Sequence, residues 1–419
     1  MYVELHLLQN FAPNCLNRDD TNSPKDCVFG GFRRARISSQ CLKRAIRVHD
    51  SFRQCLDTSE PAVRTRRLIR AVAAEIEGKT VSEAPSDKTA ELVAEIFEAG
   101  GLERTKPKKG QPETWLTNIQ VFMPRPLIME LVAAVQEADR EAIPSKDKTE
   151  TKKMRSELVG KLGEMLAKRV QVPELAMFGR MVAIDAGKPL GRFNLNIDAA
   201  SQVAHAISTN SVAMEMDYFT AVDDLKDRSA EGEDAGAGML GTVEFNSACY
   251  YRYANVHVPQ LVKNLGGDAE LARKTVAAFL KASVLAIPTG KQNSFAAHNP
   301  PSLVFAVVRR DGPWSLTNAF VRPVEPHYEQ RGRSDLVGLS VRRLDHHWNK
   351  LCAAYGGDGI QSKAVLLLHD SLTDDEESTA ADQDIPLTHL RDNVVDSLQQ
   401  LIETTLQAVD FEAAKGGAA

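Results

Sequence analysis

The chain of 419 residues is 43% hydrophobic and carries a formal charge of −5, which supplies a core for one large domain with insertions or for two or three ordinary ones. Net acidity excludes a protein that coats nucleic acid with its whole surface, so any polyanion binding has to come from charge gathered on one side. The six cysteines (Cys15, Cys27, Cys41, Cys55, Cys249, Cys352) form no C-x-x-C pair and lack close His or Cys neighbours, so they read as reduced thiols of a cytoplasmic protein that needs no metal, disulfide or other cofactor.

The amino terminus, MYVELHLLQN, has neither the basic head nor the apolar stretch of a signal peptide, and no run approaches the roughly 18 apolar residues that span a bilayer. Its residues alternate, Val3, Leu5 and Leu7 against Tyr2, Glu4, His6 and Leu8, which predicts a half-buried strand ending at Phe11-Ala12-Pro13. The next segment, NCLNRDDTNSPKDCVFGG, is dense in turn-forming residues and reads as a long functional loop. From Ser38 the text SSQCLKRAIRVHDSF predicts a helix capped by Ser38 or Ser39. Leu42, Ala45, Ile46 and His49 fall on one face and Gln40, Lys43, Arg44 and Arg47 on the other.

Residues 61–179 are mostly helical in pattern, interrupted by two polar lysine-rich segments near 104–112 and 144–153, and read as a helical insertion. The segment 226–241 is rich in Gly, Ala and charge and reads as a loop. Beyond it come a strand over 245–258, a helix over 268–285, a strand over 303–310, a helix over about 334–355 and the short apolar run VLLLH. Strands at both ends with helices between them predict an α+β sheet domain interrupted by insertions.

Charge is distributed unevenly. Arg33, Arg34, Arg36, Lys43, Arg44 and Arg47 fall in a stretch without an acidic residue, whereas 370–384 carries seven acidic residues and no Lys or Arg. The Gly30-Gly31 pair before FRRARISSQ fits a backbone that approaches phosphate closely, continued by the N–H groups of a helix start and by a basic helix face; a solvated charged helix is the plainer reading of the same residues. Asp19-Asp20 could hold a divalent ion that activates water, or could simply shape a turn. His346-His347 point about 100° apart on a helix and do not share an ion readily. Tyr250, Tyr251 and Tyr253 could stack on bases, although Tyr251 and Tyr253 share a strand face that reads as core. No Walker A, G-x-G-x-x-G, G-x-S-x-G or H-E-x-x-H pattern occurs.

The stretch LNRDDTNSPKDCVFGGFRRARISSQCLKRAIR (16–47) resembles the amino-terminal signature of the backbone subunit of type I-E CRISPR Cascade, the CasC family. FGRM (178–181), AASQVAHAISTNSV (199–212), MDYFTAVDDL (216–225), GTVEFNSACYYRYANVHVPQL (241–261), LGG (265–267) and TGKQNSFAAHNPP (289–301) match in the same order. The parts at about 60–175 and after about 325 match only in character. The 226–241 stretch looks longer than the family's usual link after the thumb, and the resemblance does not place the acidic 370–384 segment.

The resemblance implies a right-hand shape. An RRM-like (ferredoxin-like) palm is built from 1–59 and 240–410, with helical fingers over 60–185 and a β-hairpin thumb over 193–228. It implies a non-catalytic subunit that stacks head to tail along the guide crRNA, binds its phosphates, kinks it at regular intervals and presents it to a target DNA strand in antiviral defence. Implied partners are copies of the chain itself, the 5′ handle-binding, 3′ hairpin-binding, large and small Cascade subunits, and a recruited nuclease-helicase at the level of the complex, with no membrane. Residue by residue it assigns RNA contact to Lys25, Ser38, Gln40, Lys43 and Arg47, with Arg18 and Arg44 as additions, and a wedge at the kink to Met181 and Thr209. Lys146, Lys148, Lys152 and Lys153 lie where family members present lysines toward double-stranded DNA. Two rivals stand beside this reading: a metal-dependent ribonuclease acting through Asp19 or Asp20, and a free-standing single-strand RNA-binding protein.

Overall fold

The computed structural model of the chain describes residues 1–54, 61–80, 82–106, 115–142, 159–167, 171–221, 239–325, 335–368 and 387–415. The chain divides into two compact units. One comprises Met1–Phe52, Gln202–His257 and Val276–Asp410, the other Arg53–Ser201, Val258–Thr275 and Phe411–Ala419.

The first unit is organised by strand β1 (Tyr2–Asn14), which runs antiparallel to β9 (Met239–His257) on one side and to β10 (Leu303–Arg309) on the other. Strand β11 (Ile360–Leu367) adds outside β10. On the far side the sheet continues from β9 through β7 (Ala206–Ser208) and β3 (Phe32–Ile37) to β2 (Asp26–Phe29). Val, Ile, Leu and aromatic residues at alternate positions suit a pleated surface buried on both sides. One face packs Leu8, Tyr251, Tyr253, Phe305 and Val365 against Val341, Leu344 and Trp348, three residues of the long helix Leu336–Tyr355. On the other, Leu7 and Arg252 meet Leu42 and Ile46 of helix α1 (Ser39–Val48) and Ser283. Each fully buried Leu or Phe on these faces contributes about 2 kcal/mol through apolar area removed from water.

This is the expected α+β class, with the large antiparallel sheet in the place of the palm. The period-2 alternation of β1, however, does not mark a solvent-facing side. Glu4 and His6 are fully buried. The Glu4 carboxylate accepts hydrogen bonds from Tyr253 Oη at 2.8 Å and from the Trp314 N–H at 2.7 Å, and His6 Nδ1 lies 2.9 Å from Tyr251 Oη. The phenols of Tyr251 and Tyr253 are therefore partners of β1. Together with Tyr250, at 2% exposure, they lie inside the fold, out of reach of a base.

The second unit is mainly helical. Its core joins Leu68, Ile69 and Val72 of the helix Leu68–Ile76, Val93, Ile96 and Phe97 of Asp87–Gly100, Leu127, Leu131 and Val135 of Pro126–Ala142, and Leu162 and Leu166 of the helical residues 159–167. Ser86 caps Asp87–Gly100 by accepting from the Thr89 N–H, and Gly101 ends it in the left-handed conformation, the start and stop chemistry such helices use. A two-stranded sheet, Ala62–Thr65 with Val121–Pro124, completes the unit.

The region expected as the thumb is arranged differently. Ser201–Val203 pairs with β9, and β7 bridges β3 and β9, so 201–208 belongs to the sheet. The hairpin arm is made instead by β8 (Glu215–Ala221) with the first part of β9, in register from Glu215 opposite Phe245 to Ala221 opposite Met239. Every residue from Glu215 to Thr220 is exposed, Tyr218 to 77%.

Candidate nucleic-acid interface

The basic motif folds in two parts. Phe29 pairs with Phe32 across Gly30 and Gly31, whose φ angles of 63° and 86° make the tight hairpin turn joining β2 to β3. The glycine pair expected to approach phosphate thus serves this turn. At Gly30 a Cβ would lie 2.0 Å from the Val321 carbonyl oxygen, so the site also demands the absence of a side chain. Just after the turn, Arg33 pairs with Asp26. Arg34 is fully buried and donates to the carbonyl oxygens of Ser208, Thr209, Phe320 and Val321 at 2.7–3.2 Å. Two of the six basic residues are therefore taken up by the fold.

The second part is the junction of β3 and α1. Asn17 holds it from the preceding loop: its side-chain oxygen accepts from the Ser38 N–H at 2.8 Å and its carbonyl from the Lys25 N–H at 2.9 Å, while the Lys25 carbonyl accepts from Arg36. Ser38 is the N-cap, extended at φ −69° and ψ 146°, and its hydroxyl accepts from the Cys41 N–H. Its contribution is to shape the helix start; with 6% exposure it offers little surface of its own. Pairing of Arg36 with Ile207 and of Ile37 with Ala206 sets His205 beside the same turn. The Ser39 N–H donates to His205 Nδ1 at 3.2 Å, and Arg36 Nη1 lies 3.3 Å from that nitrogen.

Along α1, Gln40, Lys43, Arg44 and Arg47 lie within about 100° of arc, opposite the buried Leu42 and Ile46. Gln40 and Arg44 are exposed, and Lys43 and Arg47 are half-buried. Burial pushes the Cys41 thiol above its ordinary pKa, while Arg44 and Lys25 both act to lower it. Lys25 and Arg44 thus act on the same spot from loop and helix. The structure brings Lys25, Ser38, Gln40, Lys43, Arg44 and Arg47 onto one surface, together with Arg36 and His205. Those last two were absent from the sequence assignment: His205 lies more than 150 residues away along the chain, and only strand pairing places it there.

Other assigned residues fall elsewhere. Arg18 stands in the loop, where its Nη1 donates to Asn22 Oδ1 at 3.1 Å. Asp19 accepts from the Thr21 N–H, the Thr21 hydroxyl and the Ser23 N–H, and these bonds hold its carboxyl below the usual range. Thr209, expected as a wedge, is fully buried, with its hydroxyl accepting from Ser340 Oγ at 2.9 Å, so it does not project. Met181 belongs to the helical unit and is 85% exposed. On the helix Leu336–Tyr355, His346 is exposed and His347 half-buried. Lys146, Lys148, Lys152, Lys153 and the acidic 370–384 segment lie outside the described residues, as does most of 226–241. Among the described residues, no group of three or more His, Cys, Asp or Glu side chains could hold a metal ion, and no helix is long and apolar enough to cross a membrane.

Fold and site together define an α+β protein that presents a basic helix face beside an antiparallel sheet. The chain belongs to the CT1975-like protein family, whose model matches residues 3–393. It is similar to a chain of a solved structure described as a CRISPR RNA-guided surveillance complex, pre-nicking, with 27% identity, a TM-score of 0.72, and 97% of this chain and 100% of that one covered. A chain of a second CRISPR RNA-guided surveillance complex shares the fold at 24% identity and a TM-score of 0.65, with 98% and 100% covered. No curated protein sequence matches the chain.

Proposed function

We propose that this chain is a non-catalytic crRNA-binding backbone subunit of a Cascade-type CRISPR complex, of type I-E, that stacks head to tail along the guide and presents it to target DNA. The observation that carries the reading is the convergence of Lys25, Arg36 and Gln40 at the start of α1, continued by Lys43, Arg44 and Arg47 on the same helix face. Such a surface neutralises a sugar–phosphate chain without reading bases, which suits a guide whose sequence is read by pairing with its target. Similarity to chains of surveillance complexes supports the same reading.

In this assembly Met181, the most exposed large apolar side chain among the described residues of the helical unit, is the wedge that opens the kink between paired segments. The loop carboxylate of Asp19 is engaged by Thr21 and Ser23, which favours a turn-forming role over a catalytic one. Partners in the complex are the crRNA, the target strand, further copies of the chain, the other Cascade subunits and a recruited nuclease-helicase.

The test is co-purification of the wild-type chain and a Lys25→Ala, Lys43→Ala, Arg47→Ala variant from cells expressing a CRISPR array and the neighbouring genes, with sizing of the bound RNA. Wild type is expected to carry RNA of uniform length in a large complex and the variant to lose it. Recovery of both chains free of RNA would overturn the proposal. An Asp19→Ala, Asp20→Ala variant that abolished a magnesium-dependent cleavage of complementary RNA would overturn its non-catalytic part.

A further inference from the structure

We infer that His205 is an additional RNA-backbone contact, a neutral imidazole whose outward Nε2–H donates to a phosphate at the first turn of α1. The inference rests on the reading of that surface as an RNA interface. Two donors meet at His205 Nδ1: the Ser39 N–H at 3.2 Å and Arg36 Nη1 at 3.3 Å. A backbone N–H can only donate, so Nδ1 must be the unprotonated acceptor and the ring proton must sit on Nε2. The ring is exposed, so that proton is available to a ligand.

Electrostatics keep it in this form. Partial desolvation against the turn, then Arg36 on β3 and Lys25 in the loop, hold the imidazole below its ordinary pKa of 6.5, so near neutral pH it is an uncharged donor among cations. The helix start supplies the other half of the geometry. Ser38 Oγ takes the Cys41 N–H and His205 takes the Ser39 N–H. Among the described residues the Gln40 N–H is left without an acceptor, beside the exposed Gln40 side chain. A phosphate oxygen placed there meets the Gln40 N–H and the imidazole N–H, beside the charges of Arg36 and Lys25.

Two substitutions separate the ring's two nitrogens. In His205→Asn the side-chain oxygen takes the place of Nδ1 and can still accept from Ser39, but nothing reaches the position of Nε2. In His205→Gln the amide reaches the outer position while the acceptor for Ser39 is lost. The full-length chain is titrated with a fluorescein-labelled single-stranded RNA of mixed sequence at several salt concentrations near pH 7.5, and Tm is recorded for each variant.

His205→Asn is expected to keep its Tm and to bind about tenfold more weakly, as for one lost hydrogen bond to a charged acceptor. Its salt slope should be unchanged, because a neutral donor displaces no counterion. His205→Gln is expected to bind RNA as wild type at a lower Tm. If His205→Asn binds as wild type while Lys43→Ala, Arg47→Ala loses affinity, the imidazole only braces the helix and the inference is overturned alone. If the Lys43 and Arg47 variant also binds as wild type, the RNA interface itself is wrong and the inference goes with it.

Discussion

Strand β3 and helix α1 are neighbours in sequence and equally basic, yet their charges have different employment. On β3, Arg34 is enclosed and satisfies four carbonyl oxygens, and Arg33 is matched by Asp26. On α1, Lys43, Arg44 and Arg47 lie on the face away from Leu42 and Ile46, on the surface that a polyanion can approach. What decides the matter is the supply of acceptors. A buried cation must find carbonyls or carboxylates or else shed its charge, and the end of β7 and the segment around Phe320 supply them to Arg34. A cation run in a sequence therefore has to be divided before it is counted as a binding surface.

Breaking the buried half should have the largest effect. Arg34→Ala leaves four carbonyls without their donor and opens a cavity, and is expected to cost about 4 kcal/mol or more in urea denaturation. An Arg34→Ala protein as stable as wild type would place Arg34 with the surface cations. Breaking the surface beside α1 should do the reverse. Lys25→Ala, Lys43→Ala, Arg47→Ala is expected to weaken single-stranded RNA binding about a hundredfold at low salt and to reduce the salt slope by about 2, at about 0.7 per phosphate contact. Its unfolding free energy should change by less than about 1.5 kcal/mol.

A second buried group sharpens the contrast through pH. The Glu4 carboxyl is raised to about 7, chiefly by burial, with hydrogen bonds from Tyr253 and Trp314 and the charge of Arg309 opposing the rise. Because the folded value exceeds the ordinary 4.5, the folded state holds the proton more tightly, and Glu4's contribution to stability falls as pH rises from about 4.5 to about 7. His6, held down to about 3 by burial and then Arg309, contributes the opposite slope below 6.5, and the two partly cancel. Glu4→Gln should remove one of them. The stability of wild type relative to Glu4→Gln is expected to drop by about 3 kcal/mol between pH 4.5 and 7; equal pH profiles for the two proteins would show Glu4 to titrate as an ordinary surface carboxyl.

The smallest effects test the hairpin turn that leads into β3. Gly30→Ala forces a Cβ onto the Val321 carbonyl at a positive φ and is expected to lower stability by about 2 kcal/mol, against about 1 kcal/mol for Gly31→Ala, which meets nothing within 4 Å. Neither should alter RNA affinity per folded molecule. If Gly31→Ala selectively weakens RNA binding, the glycine turn is part of the interface after all.

Most of the sheet and its helices could be read from periodicity. The strand over 245–258, the helix over 268–285 and the helix near 334–355 correspond to β9, Ala269–Leu285 and Leu336–Tyr355. The cap at Ser38 was legible because capping is local. The β2–β3 hairpin was not: two positive-φ glycines look alike in a turn and at a phosphate, and only the pairing of Phe29 with Phe32 decides between them. The polar side of β1 was misjudged because Glu4 and His6 are satisfied by phenols about 245 residues away. Thr209 and Met181 diverged for a similar reason: what surrounds a residue, a Ser340 hydroxyl in one case and solvent in the other, is set by tertiary structure. His205 carried no signal of its own beyond belonging to a matching segment.

The hairpin arm and the sheet share one continuous strand. The last dozen residues of β9 pair with β1, the first seven pair with β8, and the irregularity between Phe11 and Asn14 marks where one partnership gives way to the other. A pull along the arm is delivered to β1 as shear across a ladder running from Tyr2 opposite His257 to Phe11 opposite Ala248, where many hydrogen bonds resist together. A sideways push is met at the bulged junction and by the Phe245 ring against Phe295. Traction on the arm is thus shared along the whole of β1, so the strand that carries the arm outward is also the one that anchors it in the sheet.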